Sequence, residues 1–200
     1  MSEFKLLVER IREKPEAHRF AASPAWWKAR SSAPERDDHE VEAPFVFDLT
    51  AARIGEDLLL EGEVTGEVLF ECSRCAKRYP HALRDEFRLL LEPADKRPKG
   101  RGAEDEEGAR GLAENGLGLG EDLEAGWYQG AVIRLDDYFG EVIALAMPLQ
   151  PLCREDCPGI CPHCGADRSE VRCDCVDVRI ESPFAVLAKL RDGTERKSES

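Results

Sequence analysis

Eight cysteines are the residues of this chain best equipped for chemistry, and their spacing sorts them into four close pairs. Cys72 and Cys75 form C-x2-C, Cys153 and Cys157 C-x3-C, Cys161 and Cys164 C-x2-C, and Cys173 and Cys175 C-x-C. Six of them fall within the 23 residues "CREDCPGICPHCGADRSEVRCDC". Zinc takes four deprotonated ligands in a tetrahedron, at about 2.3 Å from each sulfur, and a pair of thiolates on a tight turn supplies two of them. Four pairs therefore suit two zinc ions. "CPHCG" carries the clearest signature, because its proline and glycine shape a turn whose backbone N–H groups face the sulfurs. Cys173 and Cys175 return to that turn from nine residues downstream, so Cys161, Cys164, Cys173 and Cys175 are assigned to one site. Cys72, Cys75, Cys153 and Cys157 are left for the other, which would tie a hairpin tip to the C-terminal part of the chain.

Other chemistry fits less well. "CPGICPHC" has the C-x3-C-x2-C spacing of radical S-adenosylmethionine clusters, but only about 35 residues follow it, too few for the barrel such a cluster needs. Disulfides belong to oxidising compartments. The N-terminal sequence alternates acids and bases and has no signal-peptide-like apolar stretch, and no run approaches a membrane span. The expectation is a cytoplasmic protein without membrane contact, whose clustered thiols bind metal. His163 lies inside "CPHCG" but is expected to stay exposed, and His18, His39 and His81 stand alone. No phosphate-cradling loop, G-x-S-x-G or H-E-x-x-H occurs. Four thiolates per metal would leave no open position for substrate, so the chain is expected not to be an enzyme.

The elements that must hold these cysteines fall into four stretches. In residues 1–38, Phe4, Leu7, Val8 and Ile11 recur at helical spacing, which predicts a short amphipathic helix. "SPAWWKARSSAPERDD" is read as irregular. Trp26 and Trp27 sit there among seven Lys/Arg against four acids, counted through Pro34. They suit either a docking arm with a stacking surface or a clasp on the main domain, and the tendency of large aromatics to bury favours the clasp. Residues 39–93 read as an antiparallel β meander. Leu60, Gly62, Val64, Gly66, Val68 and Phe70 alternate with outward Glu61, Glu63, Thr65 and Glu67, and Phe87, Leu89 and Leu91 share a face further on. Cys72 and Cys75 then lie on the connection between two strands. Residues 94–126 are rich in glycine and acid and are expected to form a flexible insertion. Residues 127–200 should hold a strand in "WYQGAVIRL" and a helix through "DYFGEVIALAM" capped by Asp136 or Asp137. Leu135, Phe139, Val142, Ile143 and Ala146 would face inward. The cysteine-rich segment follows, then a C-terminal helix opening at Ser182 and Pro183. The fold class is α+β, with short helices flanking the meander and the zinc-binding segment.

"LFECSRCAKRYPHAL", then an acidic gap, "FGEVIALAMPLQPLCREDCPGICPHCGADRSEVRCDC" and "SPFAVLAKL" together resemble the bacterial YceD family of large ribosomal RNA subunit accumulation proteins. The resemblance covers roughly residues 40–92 and 127–191. It implies a small, non-enzymatic cytoplasmic protein needed for normal accumulation of 23S ribosomal RNA, and hence for assembly of the large subunit. "ADRSEV" stands where the family carries asparagine-rich sequence. The net charge of −13 argues against coating nucleic acid through bulk charge. Binding to ribosomal RNA would have to be local, through the basic island Arg74, Lys77, Arg78, Arg84 and Arg88. Otherwise the acids would contact a basic ribosomal protein, or the arginines are simply a solvated strand face. A reading from another class is a zinc-ribbon accessory subunit of a transcription or nucleic-acid-processing complex.

Overall fold

The computed structural model describes residues 4–30, 41–97, 103–120 and 123–175. Two compact units divide the chain, residues 1–157 and 158–200. The first unit is built on four strands that run up and down: β2 (Glu16–Ala22), β3 (Phe45–Ile54), β4 (Asp57–Glu71) and β5 (Arg78–Pro93). They pair antiparallel in sequence order. The register is set by alternation, because one face is buried and a slip of one residue would expose it. Phe45, Phe47, Leu49, Leu58, Leu60, Val64, Val68, Leu83, Phe87, Leu89 and Leu91 point into the core, and Glu61, Glu67, Arg84 and Arg88 point away from it. Gly66 shares the core face because a Cβ there would collide with the Phe45 ring.

Helix α3 (Asp136–Ala146) covers this face. Its Tyr138, Phe139, Val142 and Ile143 are buried, and the Phe139 ring stacks on Phe47 at 3.8 Å between centroids. Four of the five inward positions expected from periodicity, Leu135, Phe139, Val142 and Ile143, are buried. The capping expectation is corrected. Leu135 takes the N-cap position with no side-chain cap bond, and the Asp136 carboxylate turns instead to the Trp26 indole N–H and the Arg30 guanidinium, both at 3.4 Å.

The N-terminal stretch also departs from the periodicity. Phe4–Ile11 is not a helix. Strand β1 (Lys5–Leu7) pairs antiparallel with β8 (Val132–Arg134), and a single 3-10 turn follows. Phe4 and Leu6 bury at a spacing of two, and the partner strand overrides a local pattern that fitted either period. The "SPAWW" segment forms helix α1 (Pro24–Arg30), with Ser23 Oγ accepting the Trp26 N–H at 3.1 Å and Pro24 opening the first turn. Trp26 and Trp27 are buried against Phe4 and Phe45, and Arg30 lies 4.6 Å over the Trp26 ring. This is the clasp arrangement. "WYQGAVIRL" forms two strands, β7 (Ala125–Tyr128) and β8, separated by a turn at Gly130 with φ +82°.

The glycine-rich acidic stretch is the largest correction. It contains helix α2 (Ala103–Asn115) and strand β6 (Leu117–Leu119), and the six-stranded sheet runs β2-β3-β4-β5-β7-β6. β7 lies parallel to β5, a pairing the meander reading lacked. A parallel neighbour requires a crossover of a dozen residues or more, and this stretch supplies it. Gly108, Gly111 and Gly118 serve contact rather than freedom. A Cβ on Gly118 would stand 2.5 Å from the Gly108 carbonyl oxygen, and one on Gly111 2.6 Å from that of Leu117. The backbones of α2 and β6 therefore touch. Gly118→Ala tests this in sign. In a flexible segment it would be neutral or would stabilise by about 0.5 kcal/mol through the unfolded chain. In the packed arrangement it should lower stability by about 1–3 kcal/mol, read by urea denaturation. The expected C-terminal helix at Ser182 and Pro183 lies outside the described residues.

Candidate metal centres

Hairpin β4–β5 carries its functional residues on the turn between the strands. The backbone N–H of Cys72 bonds the Lys77 carbonyl, and that of Ala76 bonds the Cys72 carbonyl, both at 2.9 Å. This closes a tight loop that needs a left-handed residue, and Ala76 takes it at φ +58°. The loop turns backbone N–H groups of Arg74 and Cys75 toward the Cys72 sulfur, and that of Lys77 toward the Cys75 sulfur. Residues 151–157 then fold over the turn. Ser73 N–H bonds the Pro151 carbonyl at 2.9 Å, and Arg74 Nη1 donates to the carbonyls of Glu155 at 3.2 Å and Cys157 at 3.0 Å. Cys72, Cys75, Cys153 and Cys157 are gathered with all four sulfurs within 4.8 Å of one another. Tyr79 and Leu152 pack against them, and Cys72 and Cys157 are each only 2% exposed.

The second unit repeats the turn. Cys161 N–H bonds the Ala166 carbonyl at 2.8 Å, Gly165 N–H bonds the Cys161 carbonyl at 2.9 Å, and Gly165 has φ +73°. Residue for residue, Cys161–Ala166 matches Cys72–Lys77, with Gly165 in the place of Ala76. Cys161, Cys164, Cys173 and Cys175 also lie with their sulfurs within 4.8 Å of one another. This set is more open: Cys164 and Cys175 are exposed, while Cys161 is buried. An Ile160–Asp167 bridge braces the turn, and Arg168 Nη2 approaches the Cys161 sulfur at 3.8 Å. His163 is exposed and is not among the gathered ligand atoms.

The electrostatics are alike in both sets. Burial pushes the Cys72 thiol up, but N–H groups of Cys153, Arg74 and Cys75 outweigh it and bring the thiol down to about 6. The N–H groups of Cys164 and His163 bring Cys161 down to about 5. Cys153 is pushed up to about 12, first by burial and then by its sulfur neighbours. Cys175 is pushed up to about 12, first by the Cys164 sulfur and then by burial. In each set the backbone thus favours the thiolate at one sulfur, Cys72 or Cys161, while Cys153 and Cys75 in the first and Cys175 in the second are shifted toward the thiol.

The sulfur geometry fits a tetrahedral ion. Sγ atoms of Cys72 and Cys157, and of Cys75 and Cys153, are 3.8 Å apart. A tetrahedron with zinc–sulfur bonds of about 2.3 Å has an edge of about 3.8 Å. A disulfide would need about 2.05 Å, and all eight cysteines are free. Either set could hold one metal ion.

The basic island is less available than the sequence implies. Arg74 is turned inward onto the 151–157 loop. Arg84 pairs with Glu63 at 2.6 Å and Arg88 with Glu61 at 3.2 Å, on the outer face of the sheet. Arg88 and Glu61 are direct cross-strand partners, while Arg84 reaches diagonally to Glu63. Lys77 and Arg78 complete the turn and open β5. Sequence reasoning missed Arg168 and placed Arg74 in the basic island rather than at the cysteine site. For Arg74 only its place inside "CSRC" gave a signal.

An α+β unit whose β-hairpin tip and returning loop gather four thiols is followed by a unit that repeats the same turn, and either set of four cysteines could hold a metal ion. The family model of the large ribosomal RNA subunit accumulation protein YceD matches residues 60–191, and the chain belongs to the YceD family. An uncharacterized Mycobacterium leprae protein is 28% identical over 124 residues, 62% of this chain and 48% of its own length. An uncharacterized protein of Mycobacterium tuberculosis H37Rv is 29% identical over 119 residues, 60% of this chain and 49% of its own. The Arabidopsis thaliana chloroplastic large ribosomal RNA subunit accumulation protein YCED homolog 1 is 21% identical over 181 residues, 80% of this chain and 52% of its own. The chain thus spans about half the length of the curated relatives it matches. No solved structure matches it. Among the described residues, no helix is long and apolar enough to cross a membrane.

The equivalence of the two turns makes a prediction. A Cβ on Gly165 would meet nothing within 4 Å, so Gly165→Ala carries only the cost of a left-handed alanine, which Ala76 already bears. That cost is about 1 kcal/mol. Competition with a chromogenic chelator should show metal held about fivefold more weakly at the second set, with the first unchanged.

Proposed function

We propose that this protein is a non-catalytic, cytoplasmic factor supporting accumulation of large-subunit ribosomal RNA, and thereby assembly of the large ribosomal subunit. Two zinc ions fasten it, one in each four-cysteine set, and it acts by engaging a basic ribosomal protein in preference to bare RNA. Membership of the YceD family supplies the ribosomal context. Closed four-thiolate sites leave no position for substrate or activated water, which supports a structural part for the metal. The observation that carries the choice of partner is the internal pairing of the basic island. Arg84 and Arg88 are matched by Glu63 and Glu61, Arg74 is spent on backbone carbonyls, and the chain as a whole carries −13. Exposed pairs of this kind add little stability, but they cancel the positive field that phosphate binding depends on. A zinc-ribbon accessory subunit of a transcription or nucleic-acid-processing complex remains the competing class, and it requires association with DNA rather than with ribosomal particles.

The purified protein should contain two zinc ions and no coloured iron cluster, by metal analysis and absorption. Zinc should be held less tightly as pH falls from 8 to 6, because protons return to thiolates that must be deprotonated to bind it, Cys153 and Cys175 foremost. Deleting the gene should lower the ratio of large to small subunits and of 23S to 16S RNA on gradients. Complementation with the Lys77→Ala, Arg78→Ala double variant should restore both, whereas RNA-directed binding predicts persistent loss. Unchanged ratios in the deletion strain would remove the ribosomal reading.

A further inference from the structure

We propose that Arg74 is the positioning residue of the first metal site, holding the 151–157 loop so that Cys153 and Cys157 meet the hairpin turn. The proposal rests on the reading of that site as a metal centre. Residues 72–75 and 153–157 are about 80 positions apart, and nothing local brings them together. Besides the Cys153 N–H that faces the Cys72 sulfur, two contacts join them at the two ends of the loop. Ser73 N–H takes the Pro151 carbonyl at its start. Arg74 Nη1 takes the carbonyls of Glu155 and Cys157 at its end, across 81 and 83 residues. Both cysteine ligands of the loop lie between these anchors. The bond to the Cys157 carbonyl fixes the backbone of a ligand residue itself.

The chemistry calls for arginine. One planar guanidinium nitrogen bridges two carbonyls, a rigid fork that a flexible ammonium reproduces only in part. Without it two carbonyls lose their donor, and the Cys157 end of the loop loses its side-chain anchor. Partners that orient metal ligands typically change affinity by about 10–100-fold when removed. Serine and arginine between the cysteines thus give "CSRC" a docking role that the second turn, with Pro162 and His163 in those places, does not share.

The test uses the full chain with the second set disabled by Cys161→Ser and Cys164→Ser. Cobalt(II) is titrated and followed through sulfur-to-metal charge-transfer absorption, and zinc competition gives the affinity. Arg74→Ala should weaken binding about 10–100-fold, and Arg74→Lys should fall between it and the parent. Arg88→Ala removes the same charge without touching the loop and should bind as the parent does. Circular dichroism of the zinc-loaded variants reports whether the sheet is retained. If Arg74→Ala and Arg74→Lys both bind like Arg88→Ala, the positioning role is overturned while the metal reading stands. If the parent takes up neither cobalt nor zinc, the metal reading fails and this proposal with it.

Discussion

The fold depends on one long-range closure: the Cys72–Cys75 turn received by the Cys153–Cys157 loop. Cys72 and Cys157 are 85 residues apart in sequence and 3.8 Å apart at sulfur. Everything between them, the crossover helix α2, the added strands β6 and β7, and the covering helix α3, lies within the loop so closed. A metal on those sulfurs would act as a cross-link. By the loop-entropy relation for cross-links, closing about 85 residues constrains the unfolded chain by about 4–5 kcal/mol, comparable with the whole stability of many domains. The turn itself is inexpensive to build, since its hydrogen bonds are local, and the β4–β5 ladder, paired up to Glu71 and Arg78, carries it at its end.

The same turn appears twice in different surroundings. At the end of the β4–β5 hairpin it is walled by Tyr79 and Leu152 and held by Arg74. In the second unit it is braced by a short bridge and an arginine near one sulfur, and two of its four cysteines are exposed. Identical ligand chemistry therefore gives one enclosed site and one open site. Its exposed cysteines, Cys164 and Cys175, are the ones open to chelators and oxidants, because reactivity follows exposure as well as thiolate character.

The sequence was most legible where alternation was strict and one face was buried. Strands β4 and β5 could be read from Leu60 to Phe70 and from Phe87 to Leu91, and the helix of α3 from Phe139, Val142 and Ile143. Both four-cysteine groupings could be read too, because pairs on short turns have few ways to meet. What stayed hidden depended on distant partners. Lys5–Leu7 became a strand, with Phe4 and Leu6 buried, because β8 lies beside it. Gly108, Gly111 and Gly118 looked like flexible chain, since composition cannot distinguish a glycine that gives freedom from one that lets two backbones touch. Asp136 offered a plausible cap and instead holds Trp26 and Arg30. The Ser-Pro opening of α1 was a readable helix signal obscured by the prolines and serines downstream of it. Arg74 looked like part of a basic patch because spacing says nothing of where a guanidinium turns.

Whether metal on these cysteines would fasten the fold or react depends on whether both sets close completely around it. X-ray absorption at the zinc edge of the zinc-loaded protein addresses this directly. Complete closure predicts a first shell of four sulfurs at about 2.3 Å with no lighter scatterer. A shell that requires oxygen or nitrogen at about 2.0 Å would mean an open or mixed site, and would contradict a purely structural part for the metal.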